Sequence, residues 1–248
     1  MMREVFIEAD NIISPIGLTT DENFRNLTQG ISGIQSHEKQ AFSATPFHAS
    51  LFNELTLPAT EAGFTKFENI LIASIQNALQ QSQVNLADPT TVMIISTTKG
   101  NVSLLETEDS KGWNEENISL HHSAQKIADH FGYKGLPVVI SNACISGLAA
   151  MLLGKRLIES GQYQNAVVAG ADMITKFVLS GFQSFQAVSD EPCRPFDESR
   201  KGITLGEAAA TVILTTQKGT GLIRFSGGAV SNDANHISGP SRSGEELS

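Results

Sequence analysis

The sequence has few of the residues that would mark a disulfide-stabilised, metal-binding or nucleic-acid-binding protein. Its 248 residues include only 2 cysteines, whose separation fits neither a disulfide framework nor a zinc site and favours a reducing compartment. Basic residues number 17 against 26 acidic ones, and the net charge of −9 argues against a nucleic-acid partner. No apolar run approaches a membrane span, and the N-terminus lacks the apolar core of a signal peptide. We therefore expect a cytoplasmic protein with no metal site and no membrane span.

The apolar residues that are present indicate a layered α/β protein. They make up 40% of the chain, enough for one large domain or two small ones. Strands and helices are predicted to alternate, whereas residues 36–58 show no clear period and predict an irregular connection. Residues 217–221 predict a tight hairpin turn into a strand over 222–225. The other predicted strands are 4–9, 91–97, 138–140, 166–169 and 208–216, and the predicted helices are 20–29, 66–81, 123–131, 146–160 and 177–188.

The stretch from residue 138 to residue 170 contains the strongest candidate for chemistry. A buried strand is predicted at 138–140, and a polar turn then leads to Cys144, directly before a predicted helix. Strand, sharp turn and helix is the geometry that lifts a nucleophile out of a sheet. The N–H groups and dipole of the helix would favour a thiolate there and stabilise an oxyanion. The pattern alone leaves a second interpretation equally open, in which Cys144 is one more small buried residue.

Four motifs in fixed order resemble those of one enzyme family. Residues 142–147, Asn-Ala-Cys-Ile-Ser-Gly, resemble the active-site segment of the β-ketoacyl-acyl-carrier-protein synthases, the decarboxylating condensing enzymes of the thiolase superfamily. Residues 12–17 and 30–34 resemble the family's N-terminal opening, "SPLG" followed by "G-x-SGI". Residues 181–207 resemble its "GF…RPFD…GEGAG" block, and residues 231–236 its "SSDAYH" segment. The four together cover nearly the whole chain and form a strong signal, whereas any one alone would be weak.

The resemblance implies a fold, a reaction and a set of partners. The fold would be the thiolase-like layered αβα(βα) architecture, with residues 1–248 forming mainly its N-terminal half. A cysteine of this family takes an acyl group from a carrier-protein thioester, and malonyl-carrier protein then loses CO2 and attacks the acyl-enzyme to give a 3-oxoacyl product. An acyl carrier protein is the implied partner, in fatty acid or polyketide-type synthesis. The resemblance further implies dimerisation through an edge strand, as a homodimer or with a related synthase, and no cofactor beyond the phosphopantetheine that arrives on the carrier.

The resemblance also assigns roles to individual residues around the nucleophile Cys144. Phe182 matches the aromatic residue near the acyl chain, and for Phe185 core packing is the expected role. His236 matches a position near the pantetheine tunnel, where a structural role is at least as well supported as a binding one. Together with Ser238, Phe182 and His236 are the predicted substrate-binding residues.

Charged residues are given supporting roles. Lys66, at the predicted start of a helix, is the one basic residue assigned by the resemblance to docking of the acidic carrier protein. Charges are rarely buried unless they are paired. We therefore expect Asp197, Arg200 and Glu207 to form a structural cluster that braces the nucleophile loop rather than to act in catalysis.

Several features depart from the family pattern. The two histidine motifs of the family's second half are not found, so the chain is either the N-terminal portion of a longer synthase or a naturally short relative. Ile145 is bulky where the family prefers a small residue, and Lys99 stands where an apolar residue is usual. These changes indicate a specialised pathway such as polyketide or aryl polyene synthesis. The six histidines, all outside those motifs, are His37, His48, His121, His122, His130 and His236.

Two other functions remain open from the sequence. The first is that of a non-catalytic partner subunit, shaped like a synthase and paired with an active one, that sets chain length or gates substrate entry. Retention of Cys144 counts against this function because such partners commonly lose the nucleophile. The other candidate is a Cys-dependent acyltransferase or thioesterase, which requires a histidine base from this chain close to Cys144.

Overall fold

Helices and strands alternate along most of the chain in the computed structural model, which describes residues 3–38, 42–53, 55–106, 114–219, 222–231 and 243. Among these residues no helix is both long and apolar enough to cross a membrane. The helices are α1 (Thr20–Thr28), α2 (Lys66–Leu79), α3 (Leu120–His130), α4 (Ser146–Glu159) and α5 (Lys176–Ser184), with short 3₁₀ helices at Val102–Leu105 and Glu115–Ile118. The strands are β1 (Phe6–Ile13), β2 (Ile34–His37), β3 (Phe47–Ser50), β4 (Thr91–Ser96), β5 (Val138–Ile140), β6 (Asn165–Asp172), β7 (Leu205–Gly206), β8 (Ala208–Thr215) and β9 (Ile223–Arg224).

A mixed six-stranded sheet in the order β5-β4-β6-β8-β1-β9 forms the middle layer. Strands β5, β4 and β6 are parallel, with Ile94 opposite both Val138 and Val168. The remaining neighbours are antiparallel. All six residues of β4 are buried because helices cover both of its faces, which explains its continuous apolar sequence.

Helices α2 and α3 pack on one face of this sheet, and α4 packs on the other. Alternate residues of β4 accordingly belong to two separate cores, with Met93 facing α2 and Ile94 facing α4. The three layers confirm the predicted α/β architecture. Fully buried members of the first core include Ile13, Ile70, Ile75, Ile127 and Ile213, and those of the second include Ala150, Ile158, Ala166 and Leu214.

The prediction of an irregular connection over residues 36–58 is wrong where β2 and β3 lie, although residues 51–53 and 55–58 are irregular. β2 and β3 form a hairpin there, and β7 pairs in parallel with β3 to give a second sheet of three strands. Phe47 and Ala49 of β3 are buried and pack with Ile174 and Leu179 in a third core. The strands are only four residues long, and the partner β7 comes about 150 residues later, so local periodicity carries little trace of them.

The predicted hairpin at residues 217–221 is also wrong. β8 and β9 both pair with β1, so that Phe6 lies opposite Thr215 on one side and Arg224 on the other. The N-terminal strand therefore occupies the position beside β8 that a hairpin partner would need. The rule that consecutive strands are neighbours fails here because a distant strand competes for the same edge.

A fully buried carboxylate fastens the start of α2 to the segment that follows β4. Glu68 accepts hydrogen bonds from the Thr65 backbone N–H at 2.9 Å and the Asn101 side-chain amide at 2.9 Å, and it pairs with Lys126 Nζ at 2.8 Å. The side chain of Thr65, the N-cap residue of α2, in turn accepts a hydrogen bond from the Glu68 backbone N–H, and the two bonds form a capping box. Each charged or polar group of this cluster therefore has a partner, as burial of a carboxylate requires.

The close approach of β6 to β4 depends on Gly170. A Cβ atom at this position would lie 2.2 Å from Ser96 Oγ and 3.0 Å from the Ser96 carbonyl oxygen. We predict that Gly170→Ala lowers the free energy of unfolding by about 1–3 kcal/mol, measured by urea denaturation, because the backbone oxygen cannot move aside. Adding Ser96→Ala to the Gly170→Ala variant removes the hydroxyl and should recover part of the lost free energy of unfolding.

Gly181→Ala is the matched control for this substitution. Gly181 lies within α5 with open space where its Cβ would be, so alanine should be neutral or stabilise by up to about 1 kcal/mol. Equal effects of the two Gly→Ala changes would contradict the tight contact between β6 and β4.

Candidate active site

The carboxyl ends of β5, β4 and β6 meet at one edge of the large sheet. A cavity of about 410 Å³ opens at this edge, and Thr97, Cys144 and Met151 contribute to its wall. Ligands of open α/β sheets bind at this edge, beyond the carboxyl ends of the parallel strands. Small residues of β6 and β8 and the segment between them make much of its lining, namely Ala169, Gly170, Ala171, Gly206, Ala208 and Ala210.

Cys144 stands between β5 and α4, as the strand, turn and helix pattern predicts. Ala143 adopts a left-handed backbone with φ +46°, and α4 begins at Ser146. Ile145 is the N-cap residue of α4 and makes no side-chain cap, so the N–H groups of the first turn have no side-chain acceptor from the cap residue. Cys144 is exposed and lines the cavity, so its interpretation as a buried packing residue is wrong.

Ser146 closes the turn that presents Cys144. Its hydroxyl accepts a hydrogen bond from the Asn142 N–H at 2.8 Å and donates one to the Ala143 carbonyl oxygen at 2.7 Å. Ser146 is buried, whereas the residues of the turn itself are exposed. Sequence reasoning placed Ser146 in the predicted helix but missed this contact, because a serine at the start of a helix more often signals a cap.

Asp172 is a second cavity residue that sequence reasoning missed. It ends β6, and its carboxylate accepts bonds from Thr97 Oγ1 at 2.9 Å and from the Thr98 N–H at 3.3 Å. These bonds tie the residues that follow β4 to the end of β6. The signal that identifies such residues is a polar side chain directly after a buried parallel strand.

Glu207 is buried between the cavity and the small sheet. Its carboxylate accepts hydrogen bonds from the Phe52 N–H at 2.9 Å and the Ile174 N–H at 3.3 Å, and it pairs with Lys66 Nζ at 2.6 Å. The neighbouring residues Gly206 and Ala208 line the cavity. Glu207 thus fixes one wall of the cavity, while the predicted docking residue Lys66 keeps a side chain that is 40% exposed.

The structure separates the three residues that the sequence grouped as one bracing cluster. Asp197 and Arg200 lie in an exposed loop, where Arg200 Nη1 donates to the Asp197 carbonyl oxygen at 3.0 Å. Hydrogen bonds from the Ser199 hydroxyl and backbone N–H, aided by the charge of Arg200, lower the pKa of the Asp197 carboxyl. Glu207 makes its bonds elsewhere, because the free N–H groups of Phe52 and Ile174 lie beside it.

Of the three predicted substrate-binding residues, Phe182 is the one that lies within the described ranges. Phe182 is half-buried in α5 and lies outside the residues that line the cavity. His236 and Ser238 lie outside the described residues. The expected core packing of Phe185 is wrong, since its side chain is 58% exposed. The reason is that α5 ends at Ser184, earlier than predicted, so that Phe185 is its C-cap residue.

The five histidines within the described ranges make other contacts or lie away from the cavity lining. His37 Nε2 lies 3.0 Å from the Ala49 carbonyl oxygen, and His130 Nδ1 lies 3.5 Å from a Glu61 carboxylate oxygen. His122 Nε2 lies 3.3 Å from the Asn117 side-chain amide. In the described part of the chain, Cys144 therefore lines the cavity without a histidine in the lining beside it.

Comparisons with known proteins agree with this geometry. Residues 2–219 match the family profile described as "Beta-ketoacyl synthase, N-terminal domain". The chain is 27% identical to 3-oxoacyl-[acyl-carrier-protein] synthase 2 of Vibrio harveyi, over 98% of the chain and 66% of that protein. It is 24% identical to a granaticin polyketide putative β-ketoacyl synthase 1 of Streptomyces violaceoruber, over 100% of the chain and 68% of that protein. The chain therefore belongs to the β-ketoacyl synthase family.

Solved structures show the same fold. A ketosynthase in complex with its chain length factor, from Xenorhabdus doucetiae, matches with a TM-score of 0.83 at 24% identity, over 99% of this chain and 65% of that one. A β-ketoacyl synthase from Burkholderia phymatum matches with a TM-score of 0.71 over 86% of this chain and 59% of that one. The thiolase-like α/β fold is thereby confirmed, and the chain spans about two thirds of the length of these relatives.

The anchoring role of Glu207 leads to a stability prediction. Glu207→Ala leaves two backbone N–H groups and the Lys66 ammonium without their acceptor, and should lower the free energy of unfolding by about 2–4 kcal/mol. The change in the free energy of unfolding is measured by denaturant unfolding followed by circular dichroism. Glu198→Ala removes an exposed carboxylate and should change stability by less than about 0.5 kcal/mol. Similar losses for both variants would contradict the assignment.

Proposed function

We propose that this chain supplies the nucleophile-bearing half of a 3-oxoacyl-[acyl-carrier-protein] synthase. The observation that carries the proposal is the position of Cys144, exposed between a parallel strand and the start of α4 and forming part of the cavity wall. Membership of the β-ketoacyl synthase family supports it. The small apolar residues of β6 and β8 in the lining suit an acyl chain better than a polar substrate.

The proposed reaction proceeds in two steps. The Cys144 thiolate attacks the carbonyl carbon of an acyl-carrier thioester, a C–S bond to Cys144 forms, and the C–S bond to the carrier's pantetheine breaks. The pantetheine leaves as a thiolate and takes up from solvent the proton that Cys144 released on ionising. Malonyl-carrier protein then loses CO2, and its C2 carbanion attacks the Cys144 thioester. The C–C bond of the 3-oxoacyl product forms as the Cys144 thiolate is released. No cofactor is proposed beyond the pantetheine arm that arrives on the carrier.

The first step is the one that we assign to the described residues. α4 begins two residues after Cys144 without a side-chain cap, and the N–H groups of its first turn suit the oxyanion of thioester attack. With no histidine of the described ranges in the cavity lining, we assign the groups that promote decarboxylation to a second half of the synthase. The 248-residue chain is therefore proposed to accept an acyl group but not to complete condensation alone.

The acyl carrier protein is the proposed partner for this step. Lys66 stays the predicted docking residue, although its ammonium already pairs with Glu207 and a carrier carboxylate would have to share it. Both cysteines of the chain are free, which fits the proposed location in a reducing cytoplasm. Lys99 and Ile145 differ from the residues usual at these positions of the family, and these differences support a specialised acyl substrate rather than the common fatty acid series.

Acyl transfer to Cys144 is tested by intact-mass spectrometry after incubation with a medium-chain acyl-pantetheine. The protein should gain one acyl group, located on the peptide that contains Cys144. Cys144→Ser should lose this adduct, whereas Cys193→Ser, which removes the other free cysteine, should retain it. No adduct on Cys144 in the unmodified protein would overturn the proposal.

The same experiment separates the two other candidate functions. Steady release of free fatty acid without adduct accumulation would identify a thioesterase and contradict the synthase proposal. If Cys144→Ala leaves the output of the pathway unchanged in the producing cell, the chain acts as a non-catalytic partner subunit. Retention of Cys144 at the cavity counts against the partner subunit, and the lack of a histidine in the lining contributed by the described residues counts against the thioesterase.

We also propose that the protein dimerises through β5, with a second copy or a related synthase as its partner. Within the described residues, β5 is one edge of the large sheet and its three residues are all apolar. Leu136, just before the strand, is 76% exposed. The opposite edge, β9, carries an Arg224–Glu4 ion pair and is protected by charge. An unprotected apolar edge strand is a ready site for strand pairing between subunits.

Leu136→Glu should weaken this dimer at least about tenfold, because a carboxylate would have to be desolvated beside the apolar edge. Sedimentation equilibrium of the purified protein measures the dissociation constant. Leu55→Glu, at a site 94% exposed elsewhere on the surface, is the matched control and should leave it unchanged. A monomeric unmodified protein, or equal weakening by both variants, would contradict an interface at β5.

A further inference from the structure

The turn that presents Cys144 has little to hold it in place besides one side chain. Its backbone bonds are long, with Ile145 N–H to the Asn142 oxygen at 3.2 Å and Ser146 N–H to the Ala143 oxygen at 3.3 Å. Ala143 has φ +46°, a conformation that costs a residue with a Cβ roughly 1–2 kcal/mol. Residues 141–145 are all exposed, so core packing does not supply the missing constraint.

The Ser146 hydroxyl supplies that constraint. It bonds to the N–H of Asn142 and to the carbonyl oxygen of Ala143, and the two distances of 2.8 and 2.7 Å are the shortest in the turn. The Asn142 nitrogen comes before the left-handed residue Ala143 along the backbone, and the Ala143 carbonyl oxygen comes after its Cα. The Ser146 hydroxyl oxygen therefore bridges the backbone across Ala143. Ser146 is 6% exposed, which limits competition from water for both bonds.

The same contact couples the turn to α4. Ser146 is the first residue of the helix, and its hydroxyl bonds back to the turn instead of capping the helix. The position of Cys144 relative to the first-turn N–H groups is thereby fixed by a rigid element. Without the hydroxyl, Ala143 would be free to leave the left-handed region, and the Cys144 sulfur would move with it.

We propose that Ser146 is a positioning residue for Cys144, whose hydroxyl holds the preceding turn in the left-handed conformation that directs the thiol into the cavity. The proposal rests on the proposed function of Cys144 as the acyl acceptor. Ser146 acts through the backbone and does not touch the substrate. A displacement of the sulfur by about 1 Å is enough to lower a transfer rate by about two orders of magnitude.

The test compares acylation rates in the Cys193→Ser background, so that Cys144 is the only thiol. Ser146→Ala should slow acyl transfer from acyl-pantetheine about 10- to 100-fold, with the apparent KM within about twofold of the parent. Ser146→Thr keeps the hydroxyl and should retain most of the rate. Ser160→Ala removes a single hydroxyl-to-backbone bond at the far end of α4 and should leave the rate unchanged.

A second substitution tests the conformational argument directly. Glycine adopts positive φ at little cost, so Ala143→Gly added to Ser146→Ala should recover a substantial part of the lost rate. No recovery, together with an equal rate loss for Ser146→Thr, would overturn the positioning role. A Ser146→Ala rate equal to that of the parent would overturn it as well.

Alkylation by iodoacetamide distinguishes failure of this proposal from failure of the proposed function. The reagent reacts with Cys144 whether or not the protein is a synthase, and its rate in Ser146→Ala should also change. If the parent protein alkylates at Cys144 but never accepts an acyl group, the proposed function fails. If it accepts acyl groups and Ser146→Ala alters neither rate, only the positioning role fails.

Discussion

The parallel direction of β5, β4 and β6 is the constraint on which the rest of the structure depends. A parallel crossover must return over one face of the sheet, and α4 makes this return between β5 and β6. The residue that precedes such a helix necessarily stands at the carboxyl edge of the sheet. Cys144 occupies that place, and the cavity lies at the same edge because the ends of β4 and β6 form its other walls.

Close contacts determine how deep α4 sits on the sheet. Gly154 faces the sheet, where an added Cβ would lie 3.2–3.3 Å from Ala166, Leu214 and Val168. Small residues on β6 and β8 then leave space beside the first turn of the helix instead of filling it. Buried carboxylates hold the surrounding segments, with Glu207 bonded to two backbone N–H groups beside the cavity wall. The cavity is therefore a product of backbone spacing more than of large side chains.

Sequence patterns predict the parts of this arrangement that are local. The bounds of β5 and α4 are predicted to within one residue, because β5 is a continuous run of β-branched apolar residues and α4 has an apolar stripe at helical spacing. β2 and β3 were missed because four-residue strands are too short to show a period. β9 lies within the predicted strand over 222–225, but its pairing is wrongly predicted because its partner, β1, lies more than 200 residues away along the chain.

The site was predictable in its nucleophile and less so in its support. A cysteine between a predicted strand and a predicted helix can be identified from the sequence alone, and so can the resemblance of its segment to a known motif. The bonds of Ser146 are local, but a serine at the start of a helix more often signals a cap. Those of Asp172 depend on how β4 and β6 meet in space, which the sequence does not report. The carboxylate of Glu207 shows the same limit, since its acceptor role follows from two unpaired N–H groups in distant segments.

The central place of β1 has a consequence for biosynthesis. Its neighbours β8 and β9 lie at residues 208–224, so β1 leaves the ribosome well before the strands that pair with its two edges. At about 5–20 residues per second, translation leaves the two sides of β1 without partners for on the order of ten seconds or more. The apolar residues of β1 that the folded protein buries, Phe6, Ala9 and Ile13, lack their strand partners through this interval, and cellular chaperones are suited to cover them.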